Sequence, residues 1–183
     1  MQHQQERERL FSAVVESTND AIVTKTLDGT ITGWNRGAER LFGFTAAEAI
    51  GRHIGIIVPE DRVAEVEGLL ERIGNGESVE HQETVRVSKD QRRIDVSLTV
   101  SPVKSATGSV IGASKIARDI TAANKVREAL RDSERMSRGI IDTALDAFVQ
   151  MDENGSIVDW NPQAWAIFGW SREEAIGKPP WAI

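Results

Sequence analysis

Residues 20–51 of this chain recur without a gap as residues 146–177, and 14 of the 32 aligned pairs are identical. The matched positions include Asp20/Asp146, Gly29/Gly155, Trp34/Trp160, Asn35/Asn161 and Phe42/Phe168. Solenoid repeats have periods of roughly 20–50 residues, so a period of 126 residues indicates a duplicated domain instead. Because the second copy stops at Ile183, the sequence predicts one complete domain, a connector and the first part of a second domain.

Composition excludes several classes of function. The net charge of −6 argues against a nucleic-acid partner, which needs a concentrated basic surface. The absence of cysteine excludes disulfide frameworks, thiolate zinc sites and cysteine nucleophiles. No apolar run approaches the ~18 residues of a membrane-spanning helix, and the polar N-terminus lacks a hydrophobic signal core. We therefore expect a cytoplasmic protein that binds neither nucleic acid nor membrane.

Short-range patterns predict the elements of the first half. Residues 1–18 indicate an amphipathic helix, with Leu10, Phe11, Val14 and Val15 on one side. The Asp28-Gly29 pair between two β-rich runs predicts a hairpin. Asn35 is typical of a helix N-cap, and Thr45-Ala46-Ala47-Glu48 has the spacing of a capping box.

The middle of the chain alternates between helix and strand patterns. After Pro59, apolar residues recur at helical spacing at Val63, Val66, Leu69, Leu70 and Ile73. Strands are predicted at 84–88 and 110–116. Between them Ile94, Val96, Leu98 and Val100 alternate with polar residues, which predicts one buried and one exposed face. The expected fold is α+β, a five-stranded antiparallel sheet with short helices on one face.

Residues 122–138 predict a connector helix. Ala123, Val126, Leu130, Ser133, Ser137 and Ile140 follow an a/d spacing for about two and a half heptads, with serine at two positions. This pattern fits either a solvated linker helix or a dimeric coiled coil that is weak at its centre.

The order of these motifs resembles a PAS domain of bacterial sensor proteins. The resemblance rests on Asp28-Gly29, on the run from Trp34 to Phe44, on Glu48 to Gly51 and on the ending Ile116 to Thr121. It covers residues 10–121 and, as an incomplete second copy, residues 139–183. It implies a sensory input that passes a signal through the junction Asp119-Ile120-Thr121 into the connector helix.

The resemblance also provides tests for cofactors. Light-sensing flavin relatives need a cysteine, which this chain lacks. Haem-binding relatives place a histidine on the helix after a proline such as Pro59, where this chain has Glu65 or Val66; their arginine beside the bound gas corresponds to Gln82. We therefore expect neither cysteinyl-flavin chemistry nor haem and predict no particular cofactor, while an unknown small molecule remains an alternative.

Candidate pocket residues follow from the same resemblance. The residues expected to fill the space between helices and sheet either pack together or line a small ligand cavity: Trp34, Phe42, Val63, Val66, Leu70, Val96, Leu98, Val100 and Ile111. Trp34 is expected in the core, with stacking on a ligand as the alternative. His3, His53 and His81 are interpreted as surface residues, and no metal site is predicted.

The sequence contains no recognisable catalytic set, so we expect no enzyme activity from this chain. The leading hypothesis is a homodimeric input module, assembled through the N-terminal and connector helices. The expected output domain is a histidine kinase of a two-component phosphorelay. A diguanylate cyclase or phosphodiesterase output, or a ligand-free interaction adaptor, are the alternatives.

Overall fold

The computed structural model describes residues 2–183, apart from the side-chain surroundings of residues 2, 4 and 8. The chain divides into two compact units, with the boundary between Asn124 and Lys125. Each unit is described by itself below. No helix in residues 2–183 is long and apolar enough to cross a membrane.

The first unit is built on a five-stranded antiparallel sheet with the strand order β2-β1-β5-β4-β3. The strands are β1 (Ala21–Lys25), β2 (Ile31–Trp34), β3 (Val79–Val87), β4 (Arg93–Lys104) and β5 (Val110–Asp119). Strands β2 and β3 form the two edges, so β1, β5 and β4 are paired on both sides. The predicted α+β fold and its five-stranded sheet are confirmed.

The helices of the first unit are α1 (Gln2–Ser17), α2 (Arg36–Phe42), α3 (Ala46–Ala49) and α4 (Val63–Gly74), with 3-10 turns at Ile54–Ile57 and Glu60–Arg62. The side chain of Asn35 accepts a hydrogen bond from the N–H of Ala38, and Thr45 with Glu48 completes a capping box. Gly29 has a φ of 85°, a left-handed conformation that suits glycine at the hairpin turn. The predicted hairpin and caps are therefore confirmed.

Strand β4 confirms the predicted register of its inward face. Ile94, Val96, Leu98 and Val100 are buried, and they pack into the core beneath the helices. The opposite set, Asp95, Ser97 and Thr99, is half-buried rather than exposed. This correction follows from the position of β4 between two strands, because short side chains there are partly covered by their neighbours.

Two predicted strands are longer than expected. Strand β3 begins at Val79 instead of residue 84, and β5 continues to Asp119 instead of residue 116. The register of β3 shifts between Val79 and Gln82, where His81 has a φ of 51°. This bulge interrupts the alternation of apolar and polar residues, so the sequence pattern did not predict the first half of the strand.

Helix α5 runs over Thr121–Thr143, beyond the predicted 122–138. It is followed by β6 (Val149–Met151), β7 (Ile157–Trp160), α6 (Pro162–Phe168), α7 (Arg172–Ala175) and a 3-10 turn at Pro180–Ala182. Strands β6 and β7 pair antiparallel, as β1 and β2 do.

One asparagine makes the same set of hydrogen bonds in each unit. The Asn35 Oδ1 accepts from the N–H groups of Ile22 and Ala38, and its Nδ2 donates to the carbonyl of Val15 near the end of α1. Asn161 makes the equivalent bonds 126 positions later, including one from its Nδ2 to the carbonyl of Ile141 in α5. The last turns of α1 and α5 are therefore attached in the same way, each through a backbone carbonyl, to the asparagine that follows the hairpin of its unit.

Candidate functional site

Three cations lie on the face of the first sheet that carries the helices. Lys25 in β1 is 5 % exposed, Lys115 in β5 is 2 % exposed and Arg86 in β3 is 1 % exposed. Charged side chains are almost never buried to this extent unless they are paired. This buried cation cluster, Lys25, Lys115 and Arg86, is the most unusual chemical feature of the unit.

Strand alternation places the cluster inward. Lys25 follows the buried Ala21 and Val23 at a spacing of two residues, and Lys115 lies between the buried Ala113 and Ala117 in the same way. Successive side chains of a strand point to opposite faces. Lys25 and Lys115 therefore occupy positions whose side chains point toward the core.

Arg86 is paired with a single carboxylate. Its Nη2 donates to Glu65 Oε1 of α4 at 2.7 Å, and its Nη1 donates to Thr84 Oγ1 at 3.1 Å. The Thr84 hydroxyl donates to the other Glu65 oxygen at 2.6 Å. Partial burial raises the pKa of Glu65, but the hydrogen bonds from Thr84 and Arg86 outweigh it and lower that pKa below its ordinary value. Glu65 is thus held ionised and is committed to Arg86 and Thr84.

The two lysines lack such a partner. No hydrogen-bond acceptor within residues 2–183 reaches either ammonium group, and Lys115 Nζ instead lies 5.8 Å from the centre of the Phe42 ring. Burial, followed by repulsion from Arg86, lowers the pKa of Lys25 to about 8. The same two causes, with added repulsion from Lys25, lower the pKa of Lys115 well below its ordinary value.

The predicted pocket residues divide into two groups. Trp34, Phe42, Val66, Val96, Leu98 and Val100 are all buried in one core cluster, and Leu70 is partly buried against it. Val63 and Ile111 are 49 % and 56 % exposed, so the expectation that they fill the space between helices and sheet is wrong. Val63 begins α4 on its solvent side. Ile111 lies in the part of β5 beyond its last β1 pair, Lys25 with Ala113.

Trp34 has a structural environment. Its Nε1 donates to the carbonyl of Phe44 at 2.9 Å, and its ring lies 5.6 Å from that of Phe42. Trp160 makes the equivalent bond to the carbonyl of Trp170 and has the same 5.6 Å distance to Phe168. A ring whose polar edge is satisfied within the fold is typical of a core tryptophan.

The junction Asp119-Ile120-Thr121 is attached to Asp95, which lies near the start of β4. The N–H of Asp95 donates to Thr121 Oγ1 at 3.1 Å, and the carbonyl of Asp95 accepts from the N–H of Ile120 at 2.9 Å. The Asp119 carboxylate accepts from the N–H of Thr121 at 2.8 Å. Sequence reasoning identified the junction but missed Asp95, because alternation marked it only as a residue of the outer face.

The start of the sheet lies beside the same junction. Arg118 donates to both carboxylate oxygens of Asp20, at 3.2 and 2.9 Å. Asp20 is the last residue before β1 in the short segment that follows α1, and Arg118 lies near the end of β5, which leads into α5. The ion pair therefore joins the segment leaving α1 to the segment that leads into α5.

The histidines do not form a site. His53 is exposed, and its Nδ1 accepts a hydrogen bond from the N–H of Gly55 at 3.1 Å; His3 and His81 are also exposed. Across the part of the chain that the structure describes, no group of three or more His, Asp or Glu side chains is arranged to hold a metal ion.

Comparison with known proteins places this architecture in a family. The phytochrome of Picea abies is 26% identical over 172 residues, which cover 90% of this chain and 15% of that protein. The chain thus spans a small part of its curated relatives. A solved PAS domain from Colwellia psychrerythraea superposes with a TM-score of 0.58 at 24% identity, over 62% of this chain and 97% of that one.

A second similar structure is a domain of a sensory box sensor histidine kinase/response regulator from Geobacter sulfurreducens. It has a TM-score of 0.53 at 20% identity, covering 62% of this chain and 94% of that one. The family model for the PAS fold matches residues 9–120 and again residues 135–181. The first match alone spans more than half of the sequence and coincides with the five-stranded unit, so this chain belongs to the PAS family.

Proposed function

We propose that the first unit is the sensory input module of a signal-transduction protein. A stimulus at the inner face of the sheet changes the packing of β4 and β5. The junction Asp119-Ile120-Thr121 transmits this structural change into α5, toward an output domain. The observation that carries this proposal is the attachment of Ile120 and Thr121 to Asp95 through both backbone groups of Asp95. Strand β4 also supplies Val96, Leu98 and Val100 to the core, so the same strand contacts both the core and the junction.

We further propose that the module acts as a homodimer through α1 and α5. Within its own unit each helix leaves large apolar side chains exposed: Leu10, Phe11 and Val14 in α1, and Val126, Leu130 and Ile140 in α5. The α5 residues include the apolar members of the a/d seam, and such a seam needs a facing helix to be buried. Two parallel helices that shift or rotate against each other provide the bistable element that signalling requires.

The wider arrangement belongs to the same proposal. Residues 139–183 constitute the first part of a second PAS domain, supported by the repeated asparagine bonds and by the second family match. The protein is bacterial and cytoplasmic, this chain has no enzyme activity of its own, and the output is a histidine kinase. The Geobacter relative is part of such a kinase, which favours this output over a cyclase or phosphodiesterase.

The test joins this chain to a histidine kinase core in place of that kinase's own PAS input, and autophosphorylation is measured. Thr121→Val removes the acceptor for the Asp95 N–H at nearly constant volume, and we expect it to change kinase activity severalfold. Thr99→Val, on the same face of β4, is the control and should leave activity unchanged. Equal activity of both variants and the wild type would contradict the proposed route and favour the ligand-free adaptor.

A further inference from the structure

We propose that the buried cation cluster binds a small carboxylate anion, with a dicarboxylate as the best match in charge. The inference rests on the proposed input function and names the class of ligand that the first unit senses. The anion would lie between the ammonium groups of Lys25 and Lys115, with the guanidinium of Arg86 beside it.

Unused hydrogen-bond donors support the site. Each lysine ammonium has three N–H donors, and no acceptor in the described chain reaches them. Arg86 Nε is buried and likewise has no partner among the described residues. Buried donors without acceptors are costly and uncommon in folded proteins, and within this cluster Arg86 Nε is the donor in that state. A carboxylate has two oxygens that accept several hydrogen bonds, so it satisfies donors of this kind.

The charge balance points the same way. Three cations face the single carboxylate of Glu65, and Glu65 is already occupied by Arg86 and Thr84. Burying a charge is unfavourable unless it is paired. An anion would supply the missing negative charge, and it would raise the pKa of both lysines, which burial and repulsion from neighbouring cations have lowered.

The arrangement of the lysines favours a carboxylate with more than one acid group. Lys25 pairs with Ala113, so Lys115 lies diagonally across the strand pair from Lys25. Such positions are separated by roughly 7–8 Å. The surrounding side chains, including Phe42, Val23 and Val100, are apolar and buried. In this proposal a short carbon chain would contact these apolar side chains while its acid groups reach different cations.

A purely structural role does not account for the lysines. Inward-pointing charges can protect an edge strand from pairing with another protein. Lys25 and Lys115, however, lie on β1 and β5, which are interior strands paired on both sides. Only Arg86 belongs to an edge strand, and it is the member of the cluster that already has a carboxylate partner.

The experiment measures the thermal unfolding midpoint of the full chain with succinate, malate, acetate or inorganic phosphate, each against sodium chloride at equal ionic strength. Tight binding of the native state raises that midpoint, and we expect succinate or malate to raise it by at least about 3 °C. Lys25→Met and Lys115→Met should abolish the shift without weakening the unliganded protein. Lys104→Met, which changes an exposed lysine of β4, should retain it.

A wild-type measurement protects the test against variants that fail to fold. Titration with succinate should shift the amide NMR signals of Lys25, Lys115 and Arg86 and leave that of Lys104 in place. No carboxylate effect beyond that of chloride, an equal effect of phosphate, or an undiminished effect in Lys115→Met would overturn the inference. These outcomes leave the Thr121→Val kinase test untouched, so failure of the anion site and failure of the input function are distinguishable.

Discussion

The hydroxyl oxygen of Thr121, the first residue of α5, accepts a 3.1 Å hydrogen bond from the backbone N–H of Asp95 in β4. Ile120 donates to the carbonyl of the same residue. Helix α5 follows β5 in the chain, and these two hydrogen bonds also attach its start to the neighbouring strand β4. Movement of β4 and movement of the first turn of α5 are therefore mechanically linked.

Loss of this bond should loosen the start of α5. A typical hydrogen bond contributes about 0.5–1.5 kcal/mol to stability, so Thr121→Val should lower the free energy of unfolding by about 1 kcal/mol. Amide exchange should accelerate at residues 122–126 more than elsewhere. Thr99→Val is the matched control, and equal exchange in both variants would contradict the attachment.

Trp34 should prove to be a core residue. Trp34→Ala is expected to cost about 3–5 kcal/mol of unfolding free energy, because it removes a buried aromatic ring. Trp34→Phe should cost less, since it mainly removes the hydrogen bond to the carbonyl of Phe44. Trp181→Phe changes an exposed ring and should be nearly neutral in urea unfolding. A loss below about 1 kcal/mol for Trp34→Ala would assign the ring to ligand stacking instead.

The exposed seam of α5 should control the oligomeric state. Leu130 is 59 % exposed within the single chain, and it lies near the centre of the a/d pattern. Leu130→Asp places charge at that position and should convert a dimer into a monomer in sedimentation equilibrium. Arg131→Asp, the neighbouring position outside the seam, should leave the dimer intact. Identical masses for the two variants would exclude α5 from the interface.

The buried lysines should make stability rise with pH. The unfolded chain keeps the Lys25 proton up to about pH 10.5, whereas the folded chain releases it near pH 8. The unfolded state therefore binds more protons between these values, and the free energy of unfolding increases by up to about 3 kcal/mol across the window. Lys115, whose pKa is also lowered by burial, acts in the same direction.

Other groups interfere little with this measurement, because the chain has no tyrosine and no cysteine. Urea midpoints from pH 7 to pH 10 should rise in the wild type and in Lys104→Met. They should rise less in Lys25→Met, which should also be the more stable protein at pH 7. The same slope in all three proteins would show that Lys25 titrates as an exposed lysine.

Local chemistry made much of the fold predictable. The Asp28-Gly29 turn, the Asn35 cap and the Thr45 capping box each depend on side chains next to one another in sequence. Their geometry follows from those residues alone. The alternation in β4 was equally informative, since period-two patterning directly reports the buried face. The first half of β3 escaped prediction because its bulge breaks that period.

The cation cluster was missed for a different reason. Lysine and arginine are usually exposed, so these residues were not expected in the core although their positions in the strands point inward. The spacing nevertheless contained the information, because Lys25 shares its parity with Ala21 and Val23. Glu65 entered the sequence analysis only as a residue at the position of the haem-ligating histidine. Its pairing with Arg86 depends on the packing of α4 against the sheet, which no local pattern specifies.

The most direct test of the account is a double-mutant cycle between the core and the junction, with Lys115→Met and Thr121→Val. Unfolding free energies are taken from the slowest amide exchange in β4. If the inner face communicates with α5, the two changes should be non-additive by at least about 0.5 kcal/mol. Additivity within about 0.3 kcal/mol would contradict the proposal that the core transmits its state through the junction.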